Sequence, residues 1–209
     1  AILYERPRNV EGLLNLPLNV ERSAAREATK AEREIFASAV NHLLEFLQRD
    51  LPHFTQGLRD LALLGHEVNL WPLFEERVLW QRVQSLLRLK LPYTPSLAEI
   101  ALCVNWLQKS LTPLLRVPPK TDLVHTTGNA LGAIPAWLAS HVHNVPLLLT
   151  EHHIALRERY LSKNQKTDLL ALKRFQTSFY EMLARLLYWQ ADRIVSVSEF
   201  NRTWQLRFA

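Results

Sequence analysis

Three short apolar runs in the second half of the chain constrain its fold more than any other feature. They are "TDLVHTTG" (121–128), "VPLLLTEH" (145–152) and "DRIVSVSE" (192–199), and helical patterns separate them. Strands that alternate with helices form βαβ units around a parallel sheet. Because the runs are continuously apolar, both faces of that sheet are expected to be covered. The sequence therefore predicts an α/β fold with a Rossmann-like parallel sheet.

The first 117 residues have a different pattern, in which apolar residues recur at steps of three and four. This spacing predicts helices over about 23–49, 73–89 and 94–116. Leu51–Pro52 is expected to end the first helix. Either Thr94 or Ser96 is expected to cap the third, with Glu99 completing a capping box. We therefore divide the chain into a mostly helical part, 1–117, and a Rossmann-like core, 118–209.

Further helices are predicted between and after the strands. Apolar spacing favours a helix within 130–144 and a longer one over 165–190. Ser162 and Gln165 form a candidate capping box for the longer helix, and a last helix opens at Ser198. Residues 1–20 are predicted to be extended or loop, since proline interrupts them twice.

Composition restricts the class of protein and its partners. Apolar residues make up 48% and charged residues 22%, which is ordinary for a soluble globular protein. No apolar run reaches the roughly 18 residues that a membrane span needs. The net charge of +5 suggests anionic partners such as phosphates, nucleotides or an acidic membrane surface. Only this net charge would support binding of a nucleic acid, since the sequence has no stripe of basic and aromatic residues. We therefore expect no nucleic-acid partner.

Polar residues follow each of the three predicted strands. The groups are His125–Gly128, Thr150–His153, and Ser196 with Ser198, Glu199, Asn201 and Arg202. Parallel strands end at one edge of the sheet, and ligands of open α/β folds bind outside that edge. Gly128 also permits close approach of the backbone to a ligand. The three groups together predict one polar cleft.

Several of these residues have a structural interpretation beside the functional one. His125 is either a ligand-contacting group or a hydrogen-bonded structural histidine. Arg157 and Arg159 either bind a phosphate or carboxylate or form a solvated charged turn. Asn201 and Arg202 either contact a ligand or serve as capping and surface residues at a helix start.

A zinc site is the remaining chemical alternative at this position. Glu151, His152 and His153 lie together, with His141 and His143 nearby. Their spacing matches no zinc pattern and the chain has no CxxC pair, so we expect no metal. The lone cysteine is predicted to be a buried small apolar residue. The tryptophans are predicted to be core residues rather than a sugar platform; they are Trp71, Trp80, Trp106, Trp137, Trp189 and Trp204.

The order of the motifs "TDLVHTTGNALGAIPAWLA", "PLLLTEHHIALRER" and "ADRIVSVSEFNRTWQ" resembles one enzyme family. It is similar to the PelF-type glycosyltransferases, a branch of the family-four retaining enzymes of the GT-B fold. The early "LYERPRNVEGL" also resembles a segment of that family. The matching positions are Asp122, His125, Gly128, Thr150, Glu151, His152, Ile154, Arg157, Glu158, Arg159, Glu199, Asn201, Arg202 and Gln205.

The chain departs from the family pattern in the central motif and after the first strand. His153 stands where the family usually has Gly, and a histidine cannot adopt positive φ without strain. Ala155 and Leu156 replace Tyr and Thr, and Asn129–Ala130 stands in place of a Tyr-Ala pair. The loop after the second strand is therefore expected to differ from the family, together with the choice of substrate.

The resemblance implies transfer of a sugar, with retained configuration, from a nucleotide-sugar donor of the UDP-glucose type to a growing polysaccharide or other acceptor. It implies that this chain is the N-terminal, acceptor-side domain and that the donor-binding domain lies outside it. His152 is implied to be the catalytic residue near the donor sugar. The implied substrate-binding residues are His125, Gly128, Asn129, Thr150, Glu151, Arg157, Arg159, Glu199, Asn201 and Arg202.

The same resemblance implies the partners and the location of the protein. The partners are a nucleotide sugar, a glycan or lipid-linked acceptor, and a membrane-bound polysaccharide synthesis or export complex. The location is cytoplasmic, with peripheral attachment at the inner membrane. No metal or other cofactor is implied, because such enzymes stabilise the leaving diphosphate with side chains and helix termini. The alternative is a non-catalytic α/β binding module for a partner protein or a membrane surface.

Overall fold

The computed structural model describes residues 26–161 and 170–208. The predicted loop over 1–20, the early family-like segment and the capping box of Ser162 with Gln165 lie outside the described residues. None of the helices in these two ranges combines the length and the apolar character needed to cross a bilayer.

The first part of the described chain is helical, as its apolar spacing predicts, but the first helix begins at Lys30 rather than near residue 23. Its helices are α1 (Lys30–Leu44), α2 (Leu51–Gly65), α3 (Arg77–Arg88) and α4 (Leu97–Leu111). Turns of 3₁₀ helix cover Glu45–Gln48, Trp71–Glu75 and Thr112–Leu115. The capping box of Ser96 with Glu99 is confirmed at the start of α4, and a second one, Thr29 with Glu32, starts α1.

Helix α2 is absent from the sequence prediction, in which Leu51–Pro52 only ends the preceding helix. The preceding helical run does end before it, and a new helix begins at Leu51 itself. Proline fits the first turn of a helix, where its missing N–H is not needed. The Asp50 carboxylate caps this turn by accepting a hydrogen bond from the His53 N–H at 3.1 Å.

The core joins the helical part to the sheet region through aromatic rings. Phe46 packs edge-on against Phe54, Phe175 and Phe179, with ring centroids 6.3, 4.9 and 5.4 Å away. Trp106 meets Phe179 in the same way at 5.3 Å. Edge-to-face aromatic pairs add stabilisation beyond the apolar area that they bury. The two parts of the chain therefore share one apolar core.

The second part contains the predicted parallel sheet. The strands are β1 (Val124–Thr126), β2 (Leu147–Glu151) and β3 (Arg193–Ser196), paired in the order β1-β2-β3, all parallel. The accompanying helices are α5 (Ile134–His143), α6 (Ala155–Leu161), α7 (Leu170–Gln190) and α8 (Glu199–Phe208). The predicted βαβ arrangement is confirmed as a mixed α/β fold with a small sheet.

The expectation that every strand is covered on both faces is wrong for β3. Ile194 and Val195 are 39% and 46% exposed, and Val197 just beyond the strand is 50% exposed. In the described residues β3 pairs only with β2, so it forms an edge of the sheet. The prediction that all tryptophans are core residues fails at Trp189, which is 74% exposed, whereas Trp137 is fully buried.

Candidate functional site

A buried carboxylate lies where β2 ends. Glu151 is fully buried, and the Tyr188 hydroxyl donates its single proton to the carboxylate, 2.9 Å from each of the two oxygens. The Gln205 amide donates to Glu151 Oε2 at 2.6 Å. Burial raises the pKa of the Glu151 carboxyl, and the two hydrogen bonds oppose this rise. The carboxylate is thus held by one group from α7 and one from α8.

The loop after β1 and the start of α8 join the same network. Asn129 Nδ2 donates to the Tyr188 hydroxyl at 2.7 Å. Asn201 Nδ2 donates to the backbone carbonyls of Glu151 and His152, at 3.2 Å each. The network therefore connects the loop after β1, the end of β2 and the helix after β3, and the polar cleft at this edge stays a prediction. We call Asn129, Glu151, Tyr188, Asn201 and Gln205 the edge network.

Three residues predicted to bind substrate are interior members of this network. Asn129, Glu151 and Asn201 are 1%, 0% and 7% exposed, and their amide nitrogens and carboxylate oxygens contact protein groups. The geometry gives them a positioning role, because they fix the ends of the strands. Their contact with a substrate stays a prediction.

An exposed polar rim lies above the edge network. A hydrogen bond of 2.9 Å joins His125 Nε2 to Thr150 Oγ1, so the ends of β1 and β2 are linked. The side chains of His152 and His153 are exposed just beyond β2. Of the two, His152 has the more firmly held backbone, since its carbonyl accepts the Asn201 hydrogen bond. The rim thus exposes imidazoles to solvent at a strand end that hydrogen bonds hold in place.

The two predicted anion-binding arginines lie on aromatic rings. The guanidinium carbon of Arg157 is 5.0 Å from the centre of the Phe200 ring and 5.7 Å from that of Trp204. Arg159 lies 4.7 Å over the Tyr180 ring and donates to the Tyr180 hydroxyl at 3.1 Å. Stacking of this kind stabilises an arginine while leaving its positive charge in place. Both arginines therefore help to pack α6 against its neighbours.

A cavity of about 610 Å³ runs along β3 and the first turns of α8. Its wall includes Ser196, Ser198, Glu199, Arg202 and the edge-network residue Gln205. Glu199 and Arg202 are exposed and form an ion pair of 3.5 Å one helical turn apart. A space of this volume with a few polar groups is typical of a small-molecule site.

Gly128 leaves open space at the end of β1. A Cβ atom built on it would meet no protein atom within 4 Å, and its φ is not positive. The Thr126 hydroxyl donates to the Gly128 carbonyl at 3.0 Å and so fixes the turn. The protein itself does not require glycine at this position, and its predicted contact with a ligand stays a prediction.

The candidate zinc ligands do not come together. Within residues 26–161 and 170–208, no three His, Cys, Asp or Glu side chains lie close enough to hold a metal ion. His143 instead shares a hydrogen bond of 3.0 Å with the Pro118 carbonyl. His141 stacks on the Trp137 ring at 5.8 Å, and burial lowers its pKa.

Comparison with known proteins places the chain in a family. The sequence profile of a domain of unknown function, DUF3492, matches residues 1–208. The chain belongs to the DUF3492 family. No curated protein matches the chain, and no solved structure does so. Family membership therefore leaves the activity of this DUF3492 chain to be inferred from its site.

One member of the edge network in this DUF3492 chain was not predicted from the sequence. Tyr188 lies near the end of α7, and its hydroxyl links Asn129 with Glu151. The only signal for it is a tyrosine on an otherwise aliphatic face, "ARLLYWQ". Such a signal does not name a partner, because the partners lie 59 and 37 positions away.

Proposed function

We propose that this chain is the acceptor-side, Rossmann-like domain of a retaining glycosyltransferase of the PelF type, with a nucleotide sugar as donor. One observation carries the proposal. The three motifs on which the resemblance rests are joined by the edge network at the carboxyl edge of a parallel sheet. Ligands of open α/β folds bind at that edge.

In this proposal the chain forms one wall of a sugar-transfer cleft. His152 contacts the donor sugar as an exposed imidazole on a braced strand end, either as a hydroxyl partner or as a stabiliser of developing charge. The cavity along β3 and α8 accepts part of the substrate, with Glu199 and Arg202 in contact with it. The buried members of the edge network hold these groups in position.

Sugar transfer by the full gene product tests the proposal. Nucleotide sugars are screened for transfer and for hydrolysis, and His152→Ala is compared with His153→Ala. Both histidines are exposed, so neither change removes core packing. We expect His152→Ala to lower kcat by about 100-fold or more, the scale of removing one transition-state contact. His153→Ala should keep kcat within about threefold.

Two results would overturn the proposal. The first is the absence of turnover and of saturable binding with every nucleotide sugar in the screen. The second is turnover in which His152→Ala and the wild type have the same kcat. The first result would favour the alternative, a non-catalytic α/β binding module.

A further inference from the structure

A second cavity lies on the helical side of the molecule, and residues of α7 form much of its wall. It has a volume of about 630 Å³ and shares no lining residue with the cavity along β3. Four separate segments line it, namely the turn after α1, the residues after α3, the end of α6 and the first half of α7. A cavity assembled from four distant segments is a product of the whole fold.

Positive charge collects in this cavity. Among the described residues, its wall contains the cations Arg49, Lys90, Lys173 and Arg174 and one carboxylate, that of Glu181. Arg49 pairs with Glu181 at 3.1 Å. The other three cations have no carboxylate within ion-pair distance among the residues that the structure describes. The space therefore has an excess of about three positive charges.

Hydroxyl groups stand beside these cations. Two pairs of residues are each four positions apart along α7, namely Lys173 with Thr177 and Arg174 with Ser178. This spacing places all four on one face of the helix. The Thr177 and Ser178 hydroxyls donate no hydrogen bond to any other described residue, and the Tyr160 ring closes the cavity on the side of α6.

The charges of the wall act on one another across the cavity. Burial and the Glu181 carboxylate raise the pKa of the Tyr160 hydroxyl, and the positive charges of Arg49 and Arg174 oppose this rise. These side chains therefore face the same space from three different elements.

We propose that this cavity binds a phosphate group, supplied either by a soluble phosphate compound or by the headgroup of an anionic phospholipid. A phosphate near neutral pH has almost two negative charges and three strong acceptor oxygens. Cations without a carboxylate partner and hydroxyl donors match these negative charges and acceptor oxygens. A ligand with one carboxylate has a single negative charge and would balance only part of the positive charge of the cavity. The proposal is independent of the glycosyltransferase assignment, because it uses none of the residues at the sheet edge.

Binding measurements on a charge-loss pair test the proposal. The variant Lys173→Gln/Arg174→Gln is compared with Lys109→Gln/Lys120→Gln, two exposed lysines outside the cavity. Both variants have the same net charge, so a purely global electrostatic effect is equal in them. One arm titrates pyrophosphate by calorimetry, and the other measures binding to phosphatidylcholine vesicles with and without phosphatidylglycerol.

We expect the Lys173→Gln/Arg174→Gln variant to weaken binding by about tenfold or more in at least one arm, with the control pair unchanged. Loss in the pyrophosphate arm identifies a soluble phosphate ligand, and loss only in the vesicle arm identifies a lipid headgroup. Equal weakening in both variants, or no binding in either arm, would overturn the proposal.

Thermal unfolding of each variant shows whether it is folded. If the change at Lys173 and Arg174 unfolds the protein, Lys90→Gln replaces it, since Lys90 follows α3 and faces the cavity from outside α7. This single change should weaken the same binding by about threefold. Undiminished binding by a folded Lys90→Gln variant would then refute the site.

Discussion

The helical part and the sheet region bury polar side chains in different ways. In the helical part the buried Thr55 and Glu99 are satisfied locally, by a carbonyl four residues back and by a capping box. At the sheet edge the bonds of the edge network cross 37 to 59 sequence positions. Local polar bonds start and stop helices, whereas long-range ones exist only once the whole region has folded.

Two buried glutamates show the same contrast in their proton affinity. The Tyr93 hydroxyl donates to Glu99 at 2.5 Å, and this bond together with the Ser96 N–H lowers the pKa of the Glu99 carboxyl. At Glu151 burial is the largest effect and raises the pKa. The helical part thus stabilises its carboxylate, while the sheet edge holds a carboxylate at a cost in stability. Carboxyl groups with a perturbed pKa occur more often at functional sites than elsewhere in proteins.

The largest effect is expected where the helical part is packed most closely. A Cβ atom on Gly57 would lie 2.3 Å from the Leu43 backbone nitrogen and 2.7 Å from the Ala39 carbonyl oxygen, so α1 and α2 would have to separate. We expect Gly57→Ala to lower the free energy of unfolding by about 3 kcal/mol, measured by urea denaturation.

Gly128→Ala is the matched control at the sheet edge. Open space surrounds that position, so the free energy of unfolding should change by less than about 0.5 kcal/mol. Equal losses in the free energy of unfolding for Gly57→Ala and Gly128→Ala would show that the two regions do not differ in how closely they are packed.

The next effect compares one tyrosine from each region. Tyr188→Phe leaves Glu151 Oε1 without a donor and the Asn129 amide without its acceptor, while Gln205 still donates to Glu151 Oε2. We expect a loss of about 2 kcal/mol in the free energy of unfolding. Tyr93→Phe should cost only about 1 kcal/mol, since Glu99 keeps its bonds from the Ser96 N–H and hydroxyl. A larger loss for Tyr93→Phe than for Tyr188→Phe would show that the long-range buried hydrogen bonds contribute less to stability than the local ones.

The pH dependence of stability should have opposite signs at the two glutamates. The carboxyl of Glu99 has its pKa lowered from 4.5 in the folded chain, so its contribution is present above that value and is lost as the pH falls. The carboxyl of Glu151 has its pKa raised from 4.5, so the folded protein holds that proton more tightly than the unfolded chain does. The folded protein therefore loses stability as the pH rises from 4.5 through the raised pKa of the folded state.

Unfolding free energies of Glu99→Gln and Glu151→Gln, each relative to the wild type, measure these slopes between about pH 3 and pH 8. Relative to the wild type, Glu99→Gln should become less stable as the pH rises, and Glu151→Gln should become more stable. Slopes of the same sign in both variants would remove the electrostatic contrast between the two regions.

The sequence predicts the helices of this protein better than the site. Apolar spacing and the Ser96–Glu99 capping box depend on residues within one or two turns, so they are visible in a single segment. Helix α2 was missed because Pro52 was interpreted as an end, while the Asp50 cap shows it to be in a first turn. The exposure of β3 was missed because it depends on which strands lie beside it.

At the site, the parallel arrangement of strands allowed the polar edge to be predicted, but not the role of each residue in it. Glu151 and Asn201 were identified by the resemblance, yet the fold places them inside, where they contact Tyr188 and backbone carbonyls. Burial of a side chain depends on all of its neighbours, and a motif describes only those adjacent in sequence. Exposed His152 and buried Glu151 are consecutive in the same strand end.

The smallest expected effect tests whether the two regions open independently. Cys103 lies in α4, is fully buried, and its thiol has a pKa raised by burial to about 12, so it reacts with a disulfide reagent only when the helical part opens. Gly57→Ala should raise the labelling rate of this thiol in native buffer. Tyr188→Phe should leave it within about twofold of the wild type if the sheet edge opens by itself. Equal acceleration in the two variants would instead show that the aromatic core shared by Phe46, Phe175 and Phe179 makes both regions open as one cooperative unit.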